Sequence, residues 1–246
     1  MENAQLIGLS KQIALKPQMD VVANNMANIE TAGFKGEHLV FEEYLMPEAQ
    51  VSGMTGLDQQ LAYVYDARLF REFTEGSFTP TGNPLDVAIN GKGWFVVETP
   101  GGERYTRNGH FKLNANGDLV TGSGQRVLGD GGPINFSAQD VQITISKDGT
   151  ISSSEGEKGK LRIVAFADET QLKKTGDNLF SSAAAPIAAD KVSLAQGVIE
   201  RSNVKPVIEM TRMIEVMRSY TSTARLMQNL SELQRRTIER LGEVPA

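Results

Sequence analysis

Val204–Leu241 reads VKPVIEMTRMIEVMRSYTSTARLMQNLSELQRRTIERL, and its periodicity sets the architecture expected of the whole chain. With Met210 at heptad position a, the a positions are Met210, Met217, Ala224, Ser231 and Ile238, and the d positions are Met213, Tyr220, Met227, Gln234 and Leu241. Eight of these ten are apolar, a sustained seam with a period near 3.5. Asn203 stands where its side-chain oxygen can cap the first turn. Pro206 falls in that turn, where a missing N–H costs little, and Gly242 and Pro245 follow as stop signals. Glu209–Arg212, Glu215–Arg218 and Glu232–Arg235 are spaced as i,i+3 pairs off the seam. About 35 residues at 1.5 Å each make a rod roughly 50 Å long. Such a helix needs a partner of similar length. Met210, Met213, Met217 and Met227 lie on the seam, and methionine suits packing against irregular or non-identical neighbours.

A helical period also runs from Ala4 to Glu30, in two pieces. Leu6, Leu9 and Ile13 mark one stripe; Leu15, Met19, Val22, Met26 and Ile29 mark another. Pro17 sits at the change of phase and predicts a kink or a break. Asn24, Asn28 and Thr31 fall at i, i+4 and i+7. They read either as a solvated face or as a polar ladder fixing register at a helix–helix contact. Thr31-Ala32-Gly33 then stops the helix.

Between the helices the period changes. Phe34 to about Thr79 lacks one: Phe34, Leu39, Phe41, Tyr44 and Leu45 cluster before Pro47, 50–60 reads as a loop, and Leu61–Phe73 alternates in part as a strand would. Thr81-Gly82-Asn83-Pro84 is a turn, Leu85, Val87 and Ile89 alternate as in a half-buried strand, and Trp94-Phe95-Val96-Val97 begins another. Short apolar segments continue at 126–128, 141–145, 150–152 and 161–166. They are separated by Asn-Gly, Asp-Gly and Gly-Gly pairs, which suit tight hairpins. The expected class is therefore α+β: terminal helices forming a coiled-coil-like pair around a central all-β domain of short strands and hairpins. The expected boundaries are 1–33 for the N-terminal helical segment, 34–79 for an extended arm, 80–190 for the β domain, and 191–246 for a linker and the C-terminal helix.

Composition narrows the function. The chain has 246 residues, 22% charged and 40% hydrophobic, with a net charge of −5. Basic residues form no stripe, which argues against nucleic acid as partner. There is no cysteine, so thiol catalysis, thiolate metal sites and disulfides are excluded. No segment has the apolar length of a signal-peptide core or a membrane span, so composition alone points to the cytoplasm and to no membrane insertion. His38 and His110 lack spaced partners for a metal. Gly122-Ser123-Gly124 lacks the rest of a nucleotide-binding loop, and 114–118 lacks the glycine and distal glutamate of a calcium loop. No paired carboxylates or nucleophile elbow meets the needs of an active site. The chain reads as a non-enzyme with no catalytic residues, cofactor or metal.

Asn24-Asn25-Met26-Ala27-Asn28, followed by Thr31, Gly33, Phe34 and Lys35, resembles the N-terminal signature of the bacterial flagellar rod and hook proteins. So do TGNPLDVAINGKGWFVV at 81–97, Tyr105–Phe111, Asn116–Thr121, and Gln196–Val204 leading back into the last helix. Pro17 is outside that pattern. The resemblance implies an axial subunit that polymerises into a helical tube, with both terminal helices in an inner layer lining the channel and the β domain outside. It implies transmission of torque, export through the flagellar type III apparatus without a cleaved signal peptide, and a place in the periplasmic rod of the basal body. Its partners would be other rod subunits and copies of itself. Within the family the length, the single middle domain and the opening MENAQLIGLSKQIALKPQMD look most like the proximal rod, then the distal rod, then the hook. Two other classes stay open: a non-flagellar secreted β-domain binding module on a helical stalk, and a carbohydrate-active enzyme needing two positioned carboxylates. The residues expected to carry assembly are Leu15, Met19, Val22, Asn24, Asn25, Met26, Asn28, Thr31, Gly33, Phe34, Lys35, Asn203, Met210, Met213, Met217, Tyr220, Met227, Ile238 and Leu241.

Overall fold

The computed structural model describes residues 2–45, 62–189 and 192–242 and resolves two compact units. The loop expected at 50–60 lies outside the described residues. The class is α+β, with an N-terminal and a C-terminal helix flanking a β-rich centre.

The first unit takes residues 1–27, 37–70 and 205–246. It contains α1 (Glu2–Ala27), β1 (Glu37–Leu45), β2 (Ala62–Arg71, whose last residue belongs to the second unit) and α2 (Pro206–Gly242). α1 and α2 pack together, and β1 and β2 form a two-stranded sheet. Two expectations are corrected here. Of the kink or break expected at Pro17, the break does not occur: α1 runs through it, although the ring removes the bond that would reach the Ile13 carbonyl. α1 also ends at Ala27 rather than near Glu30, because Asn28 to Thr31 turns on itself: Thr31 N donates to Asn28 O at 3.2 Å and its hydroxyl to Asn28 Oδ1 at 3.1 Å. The region without a period supplies β1, where Val40, Phe41 and Tyr44 are strand-formers by type but interleaved charges hide any alternation. Among the described residues no helix is long and apolar enough to cross a membrane.

The second unit takes residues 28–36 and 71–204. Its strands are β3 (Phe78–Pro80), β4 (Val87–Asn90), β5 (Trp94–Thr99), β6 (Gly102–Thr106), β7 (Phe111–Leu113), β8 (Leu119–Thr121), β9 (Arg126–Gly129) and β10 (Gly132–Pro133). β11 (Thr144–Ile145), β12 (Thr150–Ser153), β13 (Gly156–Lys160), β14 (Ile163–Ala165), β15 (Lys173–Gly176) and β16 (Leu179–Ser181) follow. β17 (Ile187–Ala188), β18 (Ser193–Gln196) and β19 (Val198–Glu200) complete the set. The largest sheet has the order β15-β16-β6-β5-β9-β8-β7, with β14 also on β5. β5 is buried on both faces. Phe95 and Val97 enter a core with Val87, Ile89, Phe111, Leu119 and Val127. Trp94 and Val96 enter a second core with Tyr105, Phe166, Leu172 and Phe180. The strand's period of two thus serves both layers at once.

The expectation of a linker from 191 is also corrected. β18 pairs antiparallel with β4 and β19 with β3, so the returning chain is part of the β unit. Leu194 is core, and Gly197, at φ 73°, turns the chain between the two strands while its N–H reaches Asp86 O at 2.8 Å. β4 is not half-buried either. Asp86 and Ala88 are buried like Val87 and Ile89. Asp86 is tolerated inside because the Thr81 hydroxyl, the Asn83 amide and His110 Nδ1 all meet its carboxylate.

Candidate assembly site

α2 carries two apolar stripes, where its period predicts one seam. Glu209, Val216 and Thr223, seven residues apart, are buried, and Met213, Ala224, Met227, Leu230 and Gln234 beside them are half-buried. Val207, Met210, Ile214 and Met217, spaced three, four and three, form a second stripe that stays exposed, at 77%, 53%, 47% and 51%. Of the expected a positions, Met210, Met217 and Ile238 therefore lie outside the helix pair, and so does Tyr220 from the d set. The Leu241 side chain lies outside the described residues. The most buried positions stand one residue before the expected a set, at 209, 216 and 223, while Met213, Met227 and Gln234 of the expected d set stay on the pair. Apolar residues occur on more than one face, and the period fixes a repeat without fixing which face meets the partner.

On α1, Val22 and Asn25 are buried, Leu15, Met19 and Met26 are half-buried, and Leu6, Leu9 and Ile13 are exposed. Gly8 faces α2 so closely that a Cβ there would lie 2.4 Å from Met227 Sδ. The Asn24, Asn28, Thr31 ladder is not a helical face. Asn24 is exposed, and Asn28 and Thr31 lie beyond the end of α1.

The buried amide is Asn25. Its Nδ2 donates to Glu37 O at 2.7 Å and to Glu209 Oε2 at 3.2 Å, while its Oδ1 accepts from Glu37 N at 3.0 Å. Glu209 Oε1 accepts from Arg212 at 2.9 Å, and the same guanidinium nitrogen meets His38 Nδ1 at 2.8 Å. Arginine only donates, so His38 Nδ1 accepts here. Asn25 thus ties α1, the start of β1 and the first turn of α2. Glu209 and Arg212, read as a surface pair, belong to this buried knot. Of the other expected pairs, Glu232 meets Arg236 and Arg235 meets Glu239, both i,i+4.

In the second unit the Gly33-Phe34-Lys35 motif is folded into the β domain. Gly33 has φ 65°, and a Cβ there would sit 2.4 Å from the Arg107 carbonyl carbon, which accounts for glycine. Phe34 is buried beneath the Lys174 ammonium, 4.4 Å from its ring centroid. Lys35 is buried and pairs with Glu200 at 2.7 Å. Burial pushes its pKa below the ordinary lysine value, with Glu200 pulling it back up. Asn203 does not cap α2. The helix starts three residues later, and Ile208 N and Glu209 N reach Lys205 O, both at 3.1 Å. Its side chain instead accepts from Gly36 N at 2.8 Å and donates to Glu72 O at 2.7 Å.

Sequence reasoning missed Glu37, Arg107, Glu200, Glu209, Val216 and Thr223. Only the last four had a signal in part: Glu200 follows the Gln196-Gly197 turn, and Glu209, Val216 and Thr223 repeat every seven residues. Among the described residues no cluster of His, Asp or Glu could hold a metal.

Comparison with known proteins matches three stretches of this arrangement. Residues 6–35 match the flagella basal body rod protein model, 88–153 the flagellar hook protein FlgE/F/G D1 domain, and 195–240 the flagellar basal body rod FlgEFG protein C-terminal model. The flagellar basal-body rod protein FlgF of Caulobacter vibrioides is 42% identical over 99% of this chain and 100% of its own length. The FlgF of Mesorhizobium japonicum is 33% identical over 98% and 99%, and the FlgG of Agrobacterium fabrum 33% identical over 89% and 92%. Matched along nearly all of its length by such relatives, the chain belongs to the flagellar basal-body rod protein family.

Proposed function

We propose that the protein is a structural, non-catalytic subunit of the proximal rod, and that the outer stripe of α2 is where neighbouring subunits seat. The observation that carries this is the exposed series Val207, Met210, Ile214 and Met217 on a helix whose other face already packs against α1. An apolar stripe that wide on one helix is costly to leave in water. The neighbours are copies of this chain and other rod subunits, joined by head-to-tail contacts that do not close and so extend as a helical tube. The proximal position is supported by the two FlgF relatives, matched over 98–99% of the chain against 89% for the FlgG relative. The chain reaches the periplasmic rod through the flagellar type III export apparatus without a cleaved signal. Torque passes through packing, and the mixed surface with net charge −5 gives nucleic acid no basic stripe.

The test is a full-length chain with Met210→Ser, Ile214→Ser and Met217→Ser in a strain lacking the native gene. The purified variant should melt within a few degrees of the parent but fail to enter rods and fail to restore swimming. Normal rods with the triple variant would overturn the assignment of this face.

A further inference from the structure

We propose that Glu200 and Asn203 form a clamp that makes three separate segments, 33–36, 71–76 and 200–203, open only together with the β unit and never by local fraying. The chain crosses between the two units at 27/28, 36/37, 70/71 and 204/205, and these segments adjoin those crossings. Segments next to such crossings, built mostly without regular strands, ordinarily open first.

Here two residues of the returning chain each bridge the same two segments. Glu200 Oε1 accepts Lys35 Nζ at 2.7 Å and Gly76 N at 3.0 Å. Asn203 Oδ1 accepts Gly36 N at 2.8 Å, while its Nδ2 donates to Glu72 O at 2.7 Å. Lys35 Nζ closes the first bridge on itself by donating to Thr74 O at 2.7 Å. Backbone bonds run in parallel: Gly33 N to Glu200 O at 2.8 Å and Glu72 N to Gly36 O at 2.9 Å. At Gly76 the approach is closer still, since a Cβ there would lie 1.9 Å from Arg201 O.

The charges make the clamp all-or-none. The Lys35 and Glu200 side chains are fully buried, and Arg107 Nη1 stands 3.6 Å from Glu200 Oε2 while its guanidinium lies over the Trp94 ring. Lifting 33–36 or 200–203 would strand a buried charge, whose loss of partner is far more costly than the pair's own net worth, and lifting 71–76 would take Thr74 O from the buried Lys35 ammonium and Gly76 N from the Glu200 carboxylate. A buried pair of this kind specifies an arrangement more than it adds stability.

Native-state hydrogen exchange on the full-length chain tests the proposal, following the amides of Gly33, Gly36, Glu72, Gly76 and Asn203 against those of Phe95 and Val97 in β5. In the parent all seven should share one protection factor within about threefold. In Glu200→Gln, which keeps the size and an acceptor oxygen but removes the charge, the first five should lose protection about a hundredfold more than β5. Lys35→Met should do the same, and Arg126→Ala, which removes an exposed pair with Glu98, should not. Two results would overturn the clamp: junction amides already less protected than β5 in the parent, or equal loss at all seven in Glu200→Gln and Lys35→Met.

Discussion

Asn25 of α1 and Glu209 of α2, 184 positions apart, share a buried hydrogen bond of 3.2 Å, and Asn25 adds two more bonds to the backbone of Glu37. An amide that makes three bonds in a buried site cannot be replaced by a carbon side chain without orphaning its partners. Asn25→Leu should therefore cost about 2–4 kcal/mol of helix-pair stability. Asp20→Asn, five residues earlier on the same helix and exposed, should stay within about 0.5 kcal/mol. Urea melts followed by helical circular dichroism decide it: equal midpoints for the two variants would refute the role given to Asn25.

Adjacent residues of α2 should separate folding from assembly. Val216 is 3% exposed and Met217 51% exposed. Val216→Ala should lower the stability of the isolated chain by about 1–2 kcal/mol, and Met217→Ala by less than about 0.5 kcal/mol. In a rod-incorporation assay at low temperature the order should reverse, with Met217→Ala the more damaging. A larger loss of monomer stability at 217 would return the seam to the register read from the sequence.

Gly33 and Gly124 both have positive φ, 65° and 92°, but a Cβ at Gly124 meets nothing within 4 Å. Gly124→Ala should carry only the backbone term, about 1–2 kcal/mol. Gly33→Ala adds a collision with the Arg107 backbone and should cost at least twice as much. Calorimetric melts of the two variants give the comparison directly, and similar shifts would mean that residues 28–36 are not held as described.

Acid should weaken the β unit through identifiable carboxylates. Lys158 at 2.8 Å, then Ser153 and Ser137, hold Asp140 well below the ordinary carboxylate range. Asp118, beside Asn135 and Asn114, Asp148, beside Thr150, and Asp168, beside Thr170 and Gln171, are lowered in the same sense. A depressed folded-state pKa means that the unfolded chain binds more protons. Stability is then fully present above the ordinary value of about 4 and is lost as pH falls below it. The melting temperature should drop from about pH 4 downward, and Asp140→Asn should flatten that drop while lowering stability at neutral pH. Parallel curves for parent and variant below pH 4 would remove Asp140 from the account.

The order of residues alone dictates two long terminal helices, because apolar residues repeat every three or four positions over many turns and Pro206 and Gly242 punctuate the second. It determined a β centre of short strands, because alternation and glycine turns are local properties of a few residues. The motifs at 24–35 and 81–97 were legible as family marks without any fold. Packing in three dimensions set the rotational phase of α2, since a repeat distance says nothing about which of two apolar stripes finds a partner. It alone chose Asn25 over Asn24 as the buried amide, and it alone joined Lys35 to Glu200 across 165 positions and turned the supposed linker into β18 and β19. A polar group can be buried, and a short strand can persist, only when a specific partner distant in the chain arrives beside it, and no local pattern records that arrival.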